Sequence, residues 1–233
     1  MLKFIMVWFL TILGLEANTD EALRAFKNKD YATAFKLYEK SALNGDAKAQ
    51  SALSYLYANG LGTEQNSKKS IEWLEKSASN GNSNAQYDLG MFYLNGQGVT
   101  TDKKRAFELL SDSSEQNNTN AQYNLALMYY NGDGTDLNIS KSAELLESAA
   151  SGGHPIAKQN VGRVYMQLLN FDKAAEWFEK SAAAGDESSY YVLAEIYCQL
   201  EKFKEAKTWA QKAIKSGNKE ADLLYKKYEL EKY

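Results

Sequence analysis

The stretch from Ala85 to Leu110, AQYDLGMFYLNGQGVTTDKKRAFELL, holds two helical patterns separated by a glycine-containing break. In the first, Ala85, Leu89, Gly90 and Tyr93 fall at i, i+4, i+5 and i+8, one face of a helix with a 3.6-residue period. Ala106 and Leu110, four residues apart, open a second such face. A lone helix pair has nothing to bury these faces against. The fold therefore depends on what recurs on either side.

Shifting the sequence by 36 residues aligns Ala49, Ala85, Ala121 and Ala157, followed by Gln50, Gln86 and Gln122. Leu53, Leu89, Leu125 and Val161 come next, then the small Ser54, Gly90, Ala126 and Gly162, then Tyr57, Tyr93, Tyr129 and Tyr165. A second ladder reads Ala34, Ser70, Ala106 and Ser142, with Tyr38, Leu74, Leu110 and Leu146 four residues on, and Gly45, Gly81 and Gly153 close three of the units. After Tyr165 the spacing shortens to 32, aligning Trp177 with Trp209, Gly185 with Gly217, and Ser189 with Ala221. Each unit is thus two helices, and stacking the pairs buries what one pair cannot, which is the physics of a solenoid. The shortening is read as four residues lost from the loop between the helices.

The break itself recurs as Asn-Gly-x-Gly at Asn59, Asn95 and Asn131. Its last copy lies in YYNGDGTDLN, Tyr129 to Asn138, where Asp133 gives it the look of a calcium loop. A calcium loop begun at Asn131 needs glycine at its sixth place and glutamate at its twelfth, where this chain has Asp136 and Ser142. A phosphate loop needs a following Gly-Lys-Ser/Thr and a preceding strand, and neither is present. Asparagine and glycine both tolerate positive φ, so the recurring element reads as a helix stop and turn.

These residues resemble the Sel-one-like repeat, the longer-looped relative of the tetratricopeptide repeat, whose Leu-Gly-x-x-Tyr core stands here as Leu89, Gly90 and Tyr93. The resemblance covers about Ala32 to Gly153. DKAAEWFEKSAAAGD and the unit after it, within residues 154–233, are closer to plain tetratricopeptide repeats, with Ala174, Phe178 and Ala182 on the expected face. The resemblance implies an all-α fold, a right-handed α-solenoid of stacked antiparallel helix pairs forming one domain over residues 18–233. It also implies a scaffold or adaptor rather than an enzyme. Some secreted bacterial relatives carry paired cysteines in each repeat and are linked to binding or hydrolysing β-lactams, so a hydrolase acting on β-lactam or peptidoglycan-like substrates is the alternative. This chain lacks those pairs.

Composition bounds the rest. With 44% hydrophobic and 24% charged residues the chain has the makings of a sizeable core, and a net charge of -3 gives no general attraction to nucleic acid. At the N-terminus, Lys3, the apolar run Phe4 to Leu15 and Ala17 have the layout of a secretory signal over residues 1–17, with cleavage near Asn18. Export to the periplasm or medium is therefore expected, with no membrane span after cleavage; the alternative is that the apolar segment is kept as an anchor. Cys198 is the only cysteine, so no intrachain disulfide forms, and its place in YYVLAEIYCQL makes it a small core residue.

No catalytic, cofactor or metal set emerges. His154 is the only histidine; standing before Pro155 at a repeat boundary, it is expected to be a solvated turn residue. A Ser-x-x-Lys match at Ser216 to Lys219 falls across an inter-repeat turn without its usual companions. The carboxylates, such as Glu72, Glu75, Glu108 and Glu144, spread along helix surfaces.

What remains is a binding surface. In tetratricopeptide-like stacks the first helix of each pair lines the concave face, and by resemblance the inward position lies two residues before the ladder leucine: Ser51, Tyr87, Tyr123, Gln159 and Tyr191. Two residues after the leucine come Tyr55, Met91, Leu127 and Arg163, and five after it Leu94, Tyr130 and Met166. Tyr55, Tyr87, Tyr123, Tyr130, Arg163 and Tyr191 are the expected contacts for a protein or peptide partner, one associated with the cell wall included. The competing reading places the tyrosines in inter-repeat packing.

Overall fold

A computed structural model describes residues 19–233. The expected signal segment, residues 1–17, and the expected cleavage near Asn18 lie outside the described residues. Among the described residues the ordered elements are helices, with no strand. Helix α1 is described over residues 19–27. It is followed by α2 (Tyr31–Leu43), α3 (Ala47–Asn59), α4 (Ser67–Ser79), α5 (Ser83–Asn95), α6 (Lys103–Glu115) and α7 (Thr119–Asn131). Then come α8 (Ile139–Ser151), α9 (Pro155–Gln167), α10 (Phe171–Ala183), α11 (Ser188–Gln199), α12 (Phe203–Lys215), α13 (Lys219–Lys227) and a 3-10 turn at Leu230–Lys232. The fold is an all-α solenoid of antiparallel helix pairs.

Helix starts are set by short polar side chains placed one repeat apart. Asp46, Asn82 and Asn118 accept from the backbone N–H of Ala49, Ala85 and Ala121, so each caps the helix that carries the alanine–leucine ladder. Asp30, Asn66, Asp102, Asn138 and Asn170 cap the alternate helices in the same way. Helix ends use the recurring glycines. Gly60 and Gly96 close α3 and α5 in the left-handed region, with φ of 65° and 69°. At the other turn, where Gly45, Gly81 and Gly153 stand, the third copy has Asn117, which adopts the same positive φ of 62°. The linker from α9 to α10, Leu168 to Asn170, is four residues shorter than that from α3 to α4, as the change of period implied.

The chain divides into two compact units: residues 19–121 with Asp133–Thr135, and Gln122–Gly132 with Asp136–Tyr233. Consecutive helices pack from α2 to α6 in the first and from α8 to α13 in the second. The ladder alanines Ala49, Ala85, Ala121 and Ala157 are fully buried, and Leu53, Leu89, Leu125 and Val161 nearly so. The ladder position after the leucine stays small because a helix crosses there. A Cβ on Gly90 would lie 3.0 Å from the Leu110 side chain, and one on Gly162 would lie 2.9 Å from Phe178. Three tyrosines in the ladder register, Tyr93, Tyr165 and Tyr197, anchor to the preceding helix through an acid 18 positions back. Tyr165 donates to Glu147 at 2.5 Å and Tyr197 to Glu179 at 2.6 Å, while Tyr93 makes a longer bond of 3.4 Å to Glu75.

The ladder glutamines tie adjacent pairs by hydrogen bonds that are buried or partly buried. Gln50 donates to the Ala42 carbonyl and accepts from Asn80 at 2.9 Å; Gln86 donates to Ala78 and accepts from Gln116 at 2.7 Å. The next donor position holds Gly152, and the Gln122 Oε1 is buried without a partner. Gly152 has φ −73° and ψ 0°, a conformation open to any residue. Gly152→Asn should therefore stabilise the second unit. The restored bond contributes about 1 kcal/mol, and the loss of glycine's freedom in the unfolded chain contributes roughly 0.4–1 kcal/mol. Gly152→Ala supplies the second contribution only. A melting temperature for the asparagine variant no higher than for the alanine variant would show that the missing rung is not restored.

Candidate interaction surface

The side chains expected to meet a partner lie on α3, α5, α7, α9 and α11, the helices that carry the buried alanine–leucine ladder on their other face. In the first unit Tyr55 is 53% exposed and meets Phe26 edge to face at 6.0 Å between ring centroids. With Leu23, Phe26 and Ala52 it lines a cleft of about 320 Å³. Tyr87, on α5, is half-buried.

In the second unit the row divides. Leu127 and Tyr130 of α7, each more than a third exposed, share a cleft of about 250 Å³ with Leu146 of α8 and with Arg163 and Val164 of α9. The Tyr130 hydroxyl donates to Gln167 at 3.1 Å, which fixes one rim. Tyr191 stands apart on α11 at a different cleft of about 410 Å³. Its hydroxyl donates to Glu195 at 2.7 Å, and burial, then that carboxylate, raise its pKa to about 12, so it stays a neutral donor at ordinary pH. Tyr130 and Arg163 are therefore brought together, whereas Tyr191 serves another cleft.

Tyr123 leads to a correction. It is half-buried, and its ring stacks on the His154 imidazole with centroids 4.4 Å apart and planes 17° apart. His154 was expected in solvent, yet it is only 9% exposed. It is the N-cap of α9, its Nδ1 accepting from the Ala157 N–H at 3.2 Å, and Pro155 occupies the first helical turn behind it. Burial lowers its pKa, in keeping with a nitrogen that must stay unprotonated to accept. The signal was present in the sequence: His154 stands in register with Asp46, Asn82 and Asn118, the caps of the preceding copies.

The remaining candidates fall into structural places. Cys198 is buried, and burial pushes its thiol up to about 11, far from a reactive thiolate. Ser216 closes α12 and donates to the Ala213 carbonyl, while Lys219 begins α13, so the Ser-x-x-Lys match is a turn between helices. Of the two acids in the Tyr129 to Asn138 stretch, Asp133 pairs with Lys103 at 2.6 Å. Among the described residues no group of three or more His, Cys, Asp or Glu is placed to hold a metal ion. None of the described helices is long and apolar enough to cross a membrane.

Antiparallel helix pairs in tandem, with one helix of each pair turning an aromatic-bearing row outward, define a helical-repeat solenoid. The Sel1 repeat family profile matches residues 26–46, 47–82, 83–118, 119–154, 160–186 and 188–218. The chain belongs to the Sel1 repeat family. The match includes the units of shortened period. Among solved structures, a Sel1 repeat protein from Oxalobacter formigenes is similar at 26% identity with a TM-score of 0.64, over 88% of this chain and 84% of that one. The c5321 protein of uropathogenic Escherichia coli, described as a protective antigen with the same repeat fold, is 27% identical with a TM-score of 0.47. That alignment takes in 93% of this chain and 57% of the other. A comparison with curated protein sequences gives no match.

Proposed function

We propose that this chain is an exported interaction scaffold that holds a protein or peptide partner against the outward row of its ladder helices, the face that is concave in related stacks. The observation that carries the reading is the contrast between the two sides of those helices. The ladder side is sealed, yet Tyr55, Leu127 and Tyr130 are left 53%, 36% and 37% exposed. Large apolar side chains held in clefts with hydrogen-bonding rims are what recognition surfaces are made of. Placement outside the cytoplasm rests on the apolar run Phe4 to Leu15 alone.

A photo-crosslinking amino acid at Tyr55, Tyr130 or Arg163 should join the chain to a partner in the native cell. The same probe at the exposed Glu108, on an alternate helix, should not. In the same sample, mass spectrometry of the exported bait should read from Asn18. Equal crosslinking from Glu108 would overturn the surface assignment, and a bait retaining Met1 would overturn cleavage.

A further inference from the structure

The cleft formed by α7, α8 and α9 carries the reading further. Its walls are Leu127, Leu146 and Val164, and the one charged side chain lining it is Arg163. Leu146 and Val164 are 2% and 8% exposed, so these two walls belong to the core and are fixed by packing, whereas Leu127 and Arg163 are exposed. Among the described residues Arg163 forms no ion pair. The acid that feels its charge, Asp186, is already engaged: its carboxylate accepts from the Ser188 N–H and from the hydroxyls of Ser188 and Ser189. A guanidinium offers several donors in a rigid fork matched to carboxylate oxygens, so an unengaged arginine beside a small apolar recess selects for apolar and anionic groups side by side.

We propose that this cleft binds a peptide that inserts an aliphatic side chain between Leu127, Leu146 and Val164 and presents an Asp or Glu, one or two residues away, to Arg163. A volume of about 250 Å³ suits one side chain rather than a folded element. The Asn160 amide, which lines the same cleft, lies where it can bond the backbone of an extended segment. The inference rests on the interaction reading above and narrows it to one site and one chemistry.

The test is selection of random displayed peptides on the immobilised full-length chain, followed by fluorescence anisotropy with a synthetic copy of the selected sequence. Selected peptides should pair Leu, Ile or Val with a nearby Asp or Glu. Arg163→Glu should weaken binding about tenfold or more, on the order of 1.4 kcal/mol, and a peptide with its acid changed to lysine should recover affinity for that variant. Arg163 is exposed, so the variant's melting curve should match the parent's. Peptides that bind equally well to parent and Arg163→Glu would overturn this site while leaving the interaction reading intact. Failure to select any peptide would overturn both.

Discussion

Alanine at Gly62 should lower the melting temperature by at least about 5 °C, estimated from 1–3 kcal/mol of backbone strain plus a steric clash, at roughly 2–4 °C per kcal/mol. Gly62 has a φ of 70°, and a Cβ there would stand 2.1 Å from the Tyr31 carbonyl oxygen. That oxygen belongs to the first turn of α2 and cannot move without disturbing the helix. The loop between α3 and α4 would have to lift off. Gly45 isolates the steric component, since its φ is 92° but a Cβ there meets nothing within 4 Å. Gly45→Ala should therefore cost only the strain. Equal melting temperatures for the two variants would mean that loop docking on α2 adds nothing to stability.

Leu53→Ala is expected to be the most damaging core truncation in the first unit, at about 2–5 kcal/mol. Leu53 is completely buried, in a cluster with Ala34, Tyr38, Ala49, Leu56 and Tyr57. Its removal opens a cavity in the core that α3 shares with α2, and a fixed backbone does not collapse into the space. Leu43, 71% exposed at the end of α2, is the control, with an expected change within about 0.5 kcal/mol. Because repeat proteins are stabilised mainly by neighbour contacts, amide hydrogen exchange should quicken in α2 to α4 while α10 to α13 keep their protection. Uniform loss of protection along the chain would contradict that picture.

The parts of the fold legible in the sequence are those where backbone demands the residue. Ala49 and its copies must be small because helices close on them, and Gly60 and Gly96 must tolerate positive φ, so spacing alone exposes both. His154 is harder to read because its counterparts in register are Asp and Asn, so its position rather than its chemical type marks it as a cap. The candidate surface was less legible for a related reason. Helical spacing says which face a tyrosine occupies but not which neighbouring side chain it meets there. Tyr123 meets His154, Tyr191 turns its hydroxyl to Glu195, and Tyr130 is left with Arg163 beside it. These neighbours differ from copy to copy, whereas the ladder does not. The orphaned Gln122 oxygen has the same origin, since one glycine at position 152 breaks a series that the glutamines alone continue.

The docking of Gly62 on Tyr31 also has a mechanical meaning. A loop that reaches back past the helix it follows to the start of the one before works as a strut, linking segments that are not consecutive and stiffening the pair between them. Gly134, whose Cβ would stand 2.2 Å from the Lys103 carbonyl oxygen, makes the same reach within the first unit, with the Lys103–Asp133 ion pair beside it. The backbone of the turn from Leu168 to Asn170 bonds only locally, back to Val164, Tyr165 and Met166 and forward to Ala174, so it joins α9 to α10 as a plain hinge. Under tension the strutted repeats should resist as a block, while those joined by short turns peel away one helix at a time.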